Sequence, residues 1–201
     1  MKILVIGATG TIGTAVAQAL EARHEVVRAS HVRSALKVDL ADPESIRRLF
    51  AGVGRVDAVI GAAGQAAFRP LSALTDADFA LGLANKLMGQ VNLVRFGIEH
   101  VADGGCFTLT SGILSRHPMS GSASISLVNA GLEGFVRAAA LELPRGVRIN
   151  AVAPGWIRET LVAMKMDPAP GIPAAQAAQT YINSVEGRMT GQVLDAVAGP
   201  A

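Results

Sequence analysis

Three glycines, Gly7-x-x-Gly10-x-x-Gly13, interrupt the apolar run Ile3–Ile6 in the segment KILVIGATGTIG. Their spacing is the first in the chain that could do chemistry. The run before them is unalternated and rich in branched side chains, as in a parallel strand buried on both faces. One glycine turns the chain sharply, one lets the backbone approach a pyrophosphate, and one lets the start of a helix pack tightly on the strand. The amides of residues 10–13 then face the phosphates at the positive end of the helix dipole. The periodic residues Ala15, Val16, Ala19 and Leu20 supply that helix. The reading is dinucleotide binding, against a glycine-rich turn with no ligand.

The end of the second strand reads Ala29-Ser30-His31-Val32-Arg33-Ser34, with no acid before Asp39. A site for NAD places Asp or Glu there to accept from the ribose 2′-hydroxyl, and that carboxylate repels a 2′-phosphate. Ser30, His31 and Arg33 are instead phosphate ligands by type, so the sequence predicts NADP in preference to NAD. The competing reading is a solvated basic turn. Other chemistries find less footing. There is no Gly-x-Ser-x-Gly elbow for a hydrolase. His24, His31, His100 and His117 show neither helical pairing nor cysteine partners, so no metal site is expected. The single Cys106 excludes an internal disulfide, reads as a small core residue at a strand start, and suits a reducing cytoplasm.

The elements that must position these residues alternate strand and helix, the pattern of an α/β, doubly wound parallel sheet of the Rossmann type. With 201 residues, 50% hydrophobic and 17% charged, the chain reads as a single domain over 1–201 with a substantial core. The net charge of +2 without a Lys/Arg run argues against nucleic acid or an anionic membrane as partner, and no apolar stretch is long enough to span a bilayer. Strands are predicted at Glu25–Ala29, Ala35–Asp39, Val56–Gly61, Gly105–Thr110, Val147–Val152 and Gln192–Asp195. Asp42-Pro43-Glu44 opens a helix through Phe50. Thr75, with Asp78 in capping-box spacing, opens a helix Asp76–His100, and a helix Ser122–Leu143 stops at Pro144. Short helices around Arg158–Met166 and Pro173–Val185 fall in a segment of about 156–187 inserted before the last strand.

These segments together resemble a short-chain dehydrogenase/reductase from residue 1 to about 196. Gly7-Ala8-Thr9-Gly10-Thr11-Ile12-Gly13 is similar to the family's glycine motif, Asp39-Leu40 to the pair placed near adenine, and Ala62-Ala63-Gly64 to its Asn-Ala-Gly. AGLEGFVRAAALEL, Ala130–Leu143, resembles the family's long helix after the active-site lysine. Arg148-Ile149-Asn150-Ala151-Val152-Ala153-Pro154-Gly155-Trp156, with Ile157 next, resembles its sixth strand and nicotinamide-side loop, and Thr190–Leu194 its last strand. The resemblance implies Gly7, Thr9, Gly10, Thr11, Ile12, Gly13, Asp39, Leu40, Ala62, Ala63, Gly64, Lys86, Pro154, Gly155, Trp156 and Ile157 as cofactor ligands, a small carbonyl or alcohol substrate, and proton transfer by an Asn, Ser, Tyr and Lys set. Here those places hold Lys86, Gly112, Ile125 and Asn129. Isoleucine has no proton to give. The only tyrosine, Tyr181, falls in the segment that covers substrate in relatives.

The candidates to replace the missing set are Lys86, Ser111, Asn129 and His117. Lys86 and Asn129 exchange the family's Asn and Lys, which lie together beneath the nicotinamide ribose in the family fold. Lys86 has Gly82, Leu83, Gly89 and Gln90 at i±3 and i±4 and therefore no intrahelical ion pair. The alternative for Lys86 is a partner in solvent or at an oligomer interface. Ser111 either serves the reaction or ends its strand on a backbone or ribose bond. Ser124 and Ser126 read as residues capping or lining the start of the Ser122–Leu143 helix. His117, beside Pro118, has a pKa range that suits an acid. The expectation is an NADP-dependent oxidoreductase with a rearranged proton donor, against a catalytically silent NADP-binding redox sensor or partner subunit. The apolar circumference of Ser122–Leu143 predicts a homodimer or homotetramer through helices 76–100 and 122–143, pairing that relatives share.

Overall fold

Continuous apolar runs become the interior of a seven-stranded parallel sheet, because only a strand covered on both faces can bury every side chain it carries. The computed structural model describes residues 1–197, so the last four of the expected domain lie outside the described residues. The strands are Lys2–Ile6 (β1), Glu25–Ser30 (β2), Leu36–Lys37 (β3), Val56–Gly61 (β4), Val101–Thr110 (β5), Arg148–Pro154 (β6) and Val193–Ala196 (β7). Their order is β3-β2-β1-β4-β5-β6-β7, with every pairing parallel. The order reverses between β1 and β4. That reversal opens a crevice at the carboxyl ends of the two strands.

Alternate residues of the strands serve two cores. Ile3, Val5, Ala58, Ile60 and Val152 pack against Thr11–Glu21 (α1) and Ala174–Glu186 (α7), the latter preceded by the short helix Arg158–Ala163 (α6). Leu4, Ile6, Val59, Phe107 and Leu109 pack against Pro43–Val53 (α2), Gly89–Gly97 (α4) and Ala123–Ala139 (α5). Fully buried side chains such as Phe50 and Phe107 each contribute roughly 1.5–3 kcal/mol over exposure. Among the described residues no helix is long and apolar enough to cross a membrane.

Several elements depart from expectation. β3 is two residues long, since an edge strand needs only enough pairing to end the sheet. β5 starts at Val101, four residues early, with a register shift between Val56 and Ala58 of its neighbour. α5 ends at Ala139 and loosens into turns before Pro144, which lacks an amide hydrogen and disfavours helix in the residue before it.

The helix expected over Asp76–His100 is interrupted. Thr75 and Asp78 form the capping box of Asp76–Leu81 (α3). Gly82–Met88 is then π-helical, α4 follows, and Ile98–His100 tightens to a 3-10 turn before β5. Packing is close where the π stretch ends: a β-carbon on Gly89 would lie 2.7 Å from that of Leu40. Such π stretches concentrate at functional sites because they re-aim side chains. This one carries Asn85 and Lys86.

Candidate functional site

Gly7, at φ +84°, makes the turn out of β1, and a β-carbon there would lie 2.5 Å from the carbonyl oxygen of Ala62. Gly13 holds α1 against that turn, since its β-carbon would overlap Gly7 O. Gly10 faces outward and is the N-cap of α1, with no side-chain cap, so the first amides of the helix are free to bind an anion. The three jobs expected of the glycines thus fall on different residues. Thr9 and Thr11 complete the loop, and Arg33 Nη2 donates to Thr9 O at 2.5 Å across its rim.

On one side of Gly64 lies a cavity of about 280 Å³ lined by Gly7, Ser30, His31, Asp39, Leu40 and Asn85, among others. Ser30 Oγ accepts from Ser34 N at 2.8 Å, and His31 Nε2 stands 3.9 Å from Asp39 Oδ2. Asn85 Oδ1 accepts from Gln65 N at 2.8 Å and so fixes the loop after β4. On the other side is a cavity of about 340 Å³, walled by Ile12, Ala62, Ile113, Leu114, Trp156 and Ile157. Pro154 and Gly155, at the end of β6, belong to the same wall. Ala63 and Gly64 line both cavities. Of the expected cofactor residues, Thr9, Gly10, Thr11, Gly13 and Arg33 line neither cavity, and the others line one or both.

Lys86, Ser111, Gly112, Ile125 and Asn129 all line the larger cavity. Lys86 is buried, and its Nζ donates to Ser111 O at 3.1 Å. Burial alone lowers its pKa to about 8. Among the described residues no carboxylate lines the cavity beside it. Its stem packs on Gly64, where a β-carbon would lie 2.8 Å from Lys86 Cγ. Asn129 is buried with Oδ1 unpartnered, and Ser124 Oγ is likewise buried without a partner. An orphaned buried acceptor costs free energy until a ligand donates to it. This is what a ribose hydroxyl would do, so the residues fit a dinucleotide here.

Other candidates fall elsewhere. His117 is exposed and is not among the residues that line either cavity. Ser126 Oγ donates to Leu114 O at 2.6 Å, inside the start of α5. Tyr181, expected in a substrate cover, is fully buried on α7, with its hydroxyl 2.8 Å from Thr110 Oγ1. The spacing Ala174, Ala177, Ala178, Tyr181, Ile182, Val185 is an apolar helical stripe that belongs to the core. Burial pushes the Tyr181 pKa up, which removes it as an acid. Cys106 is also core, and burial raises its thiol pKa.

Two polar residues at the site were not anticipated. Gln90 Nε2 donates to Thr110 O at 2.8 Å while Gln90 Oε1 accepts from Thr110 N at 2.7 Å, which pins the end of β5. Glu133 is buried behind Ser111. A signal existed for it: Ile125, Asn129 and Glu133 stand at i, i+4 and i+8, one stripe of a helix.

Comparison with known proteins places this geometry. The family model described as enoyl-(acyl carrier protein) reductase matches residues 7–193. The chain is 30% identical to hydroxynaphthalene reductase arp2 of Aspergillus fumigatus over 63% of its own length, and spans 48%, about half, of that protein. It is 28% identical to cis-4-hydroxycyclohexanecarboxylate dehydrogenase of Sinomonas cyclohexanicum, covering 97% of this chain and 86% of that one. Among solved structures, protein lin1944 of Listeria innocua superposes with a TM-score of 0.93 at 40% identity, over 97% and 98% of the two chains. A small-chain dehydrogenase in complex with NADPH superposes at 0.86 with 27% identity, over 97% and 95%. With a match of that extent, a parallel sheet wound in this order and a glycine turn at its switch point, the chain belongs to the short-chain dehydrogenase/reductase family.

Proposed function

We propose that the chain binds NADP(H) over the Ala63-Gly64 ridge and interconverts a small carbonyl compound and its alcohol, with Lys86 as the proton donor. One observation carries this reading: a buried ammonium, bonded to Ser111 O at 3.1 Å, is the one charged side chain in the cavity wall among the described residues. Bound NADP(H) supplies or accepts the hydride. The glycine-turn amides hold the pyrophosphate. Ser30, His31 and Arg33 receive the 2′-phosphate, and Asp39, Leu40 and Ala62–Gly64 the adenosine side. Asn129 Oδ1 accepts from a ribose hydroxyl. Pro154–Ile157 wall the nicotinamide side.

Lys86 spends one N–H on Ser111 O and keeps two for the cavity. With a pKa near 8 it is charged at neutral pH and is a stronger acid than an exposed lysine. Ile125, in the same wall, can only exclude water. The relatives named reductase and dehydrogenase, and the neighbour solved with NADPH, support the same chemistry. The reading includes a cytoplasmic setting, supported by a lone buried cysteine. It also includes a homodimer or homotetramer through the helical segments 76–100 and 122–143.

The test is NADPH binding followed by cofactor oxidation with a panel of aldehydes, ketones and quinones, on the parent and on Lys86→Met. Binding with turnover that Lys86→Met loses by 100-fold or more is the expected result. Tight binding with no turnover gives the silent sensor or partner subunit instead. No binding at all refutes the site.

A further inference from the structure

Behind the cavity wall a carboxylate reaches the side chain of Ser111, the residue whose backbone oxygen holds Lys86. Glu133 on α5 is 3% exposed. Its Oε1 lies 3.3 Å from Ser111 Oγ and 2.5 Å from Ser115 Oγ. Its Oε2 lies 3.4 Å from Arg116 Nε and 3.4 Å from Arg137 Nη2. Arg116 is itself tied to Asp195 on β7. In these bonds the carboxylate oxygen accepts and the serine hydroxyls donate, Ser115 Oγ having Gly112 O at 2.9 Å as a second acceptor. Ser111 Oγ has one hydrogen. The other acceptor in reach of it, Val152 O at 3.4 Å, also lies in the protein and not in the cavity.

The consequence concerns the face that Ser111 shows to a ligand. With its hydrogen turned inward, Ser111 can present only lone pairs to the cavity. The backbone oxygen of the same residue holds Lys86 Nζ, and both residues line the cavity, so the ammonium donor and Ser111 share one part of the wall. We propose that Glu133 is a positioning residue that fixes Ser111 as a hydrogen-bond acceptor, and that the site thereby recognises the alcohol form of its substrate. An alcohol oxygen accepts from Lys86 while its O–H donates to Ser111. A ketone oxygen can make only the first bond. The inference rests on the reading of this cavity as the substrate site.

The chain carries a built-in reporter. Trp156 is its only tryptophan, lines the cavity, and meets Phe68 edge-on at 6.1 Å. The experiment titrates Trp156 emission with 1-methylcyclohexanol and with cyclohexanone, both in saturating NADP⁺. The tertiary alcohol has no carbinol hydrogen and the ketone is already oxidised, so neither reacts. The parent should bind the alcohol about fivefold more tightly than the ketone, the weight of one neutral hydrogen bond. Glu133→Gln should abolish that preference, because its amide can donate to Ser111 and turn the hydroxyl outward. Ser111→Ala should abolish it too, and the double variant should lose nothing more.

A preference that survives Glu133→Gln overturns the inference, as does an additive loss in the double variant, which marks a purely structural role. Should Glu133→Gln fail to fold, Ser111→Ala alone decides: a preference that persists there refutes acceptance by Ser111. Failure of the underlying reading looks different. Emission that responds to NADP⁺ but to neither probe refutes this cavity as the substrate site, and emission that ignores NADP⁺ refutes the cofactor site.

Discussion

Gly112 and Asn129 occupy each other's space: a β-carbon built on Gly112 would lie 2.8 Å from Asn129 Nδ2. The family resemblance expects Ser at the first position and Lys at the second, so the two departures are coupled. The backbone of Gly112 is extended, at φ 164°, which any residue adopts. The obstacle is therefore the buried amide alone. Gly112→Ser should cost about 1–3 kcal/mol in urea denaturation, the usual range for overpacking. Most of that loss should vanish in an Asn129→Ala background. Equal losses in the two backgrounds would show that the residues are independent.

Assembly can be tested from the outer face of α5. Leu127 is 50% exposed there, and Leu83 and Met88 of the π stretch are exposed nearby in sequence to Leu87, which packs on Gly131 of α5. If these faces pair with a second copy, Leu127→Arg places an unpaired charge in the interface. The parent should sediment at two or four times the mass of one chain at micromolar concentration, and the variant at one. A parent of single-chain mass refutes the pairing.

What was legible in the sequence was local. Gly13 announces the turn because the contact that needs glycine there, with Gly7, lies six residues away, and Gly7 through its own positive φ although Ala62 also crowds it, while the strands announce themselves as unbroken apolar runs. The doubly wound parallel class follows from alternation with helices, but the strand order does not. The π stretch at Gly82–Met88 was not legible, because the capping box that opens α3 and the periodic apolar residues after it read as one continuous helix. The family pattern grouped Lys86, Gly112, Ile125 and Asn129, and the structure gathers these four in one cavity. It gave no guide to His117, whose turn points outward, or to Tyr181, whose apolar stripe was there to be read. Glu133 escaped because a single acid in an alanine-rich helix looks like a solvated residue until the serines of another loop are seen against it.

Cofactor choice should rest on Arg33. Its guanidinium is exposed and crosses to Thr9 O, beside the smaller cavity that Ser30 and His31 line. A bidentate or charge-assisted bond to a 2′-phosphate is worth about 1.5–3 kcal/mol. Arg33→Ala should therefore weaken NADPH binding by tenfold or more and leave NADH binding within about twofold, by fluorescence titration of both. Equal dissociation constants for the two cofactors in the parent would refute the preference.

Lys86 gives a prediction that needs no substrate. Its pKa falls from 10.5 to about 8 because the folded chain removes its ammonium from water. Below pH 8 the folded and unfolded chains both carry the charge, and the fold bears the cost of burying it. Between pH 8 and 10.5 the folded lysine is neutral while the unfolded one still holds its proton. The unfolded state then binds more protons, so this group's contribution raises stability with pH across that window. The shift corresponds to roughly 3 kcal/mol. Lys86→Met removes that cost and gives up the bond to Ser111 O, worth about 1 kcal/mol. At pH 7 the variant should thus be more stable than the parent by on the order of 2 kcal/mol in urea denaturation. The margin should close between pH 8 and 10.5 and reverse above it, other titrating groups cancelling between the two proteins. A margin that stays constant across that range would place the ammonium in water, and Lys86 could then be neither the proton donor nor a buried ligand of the ribose.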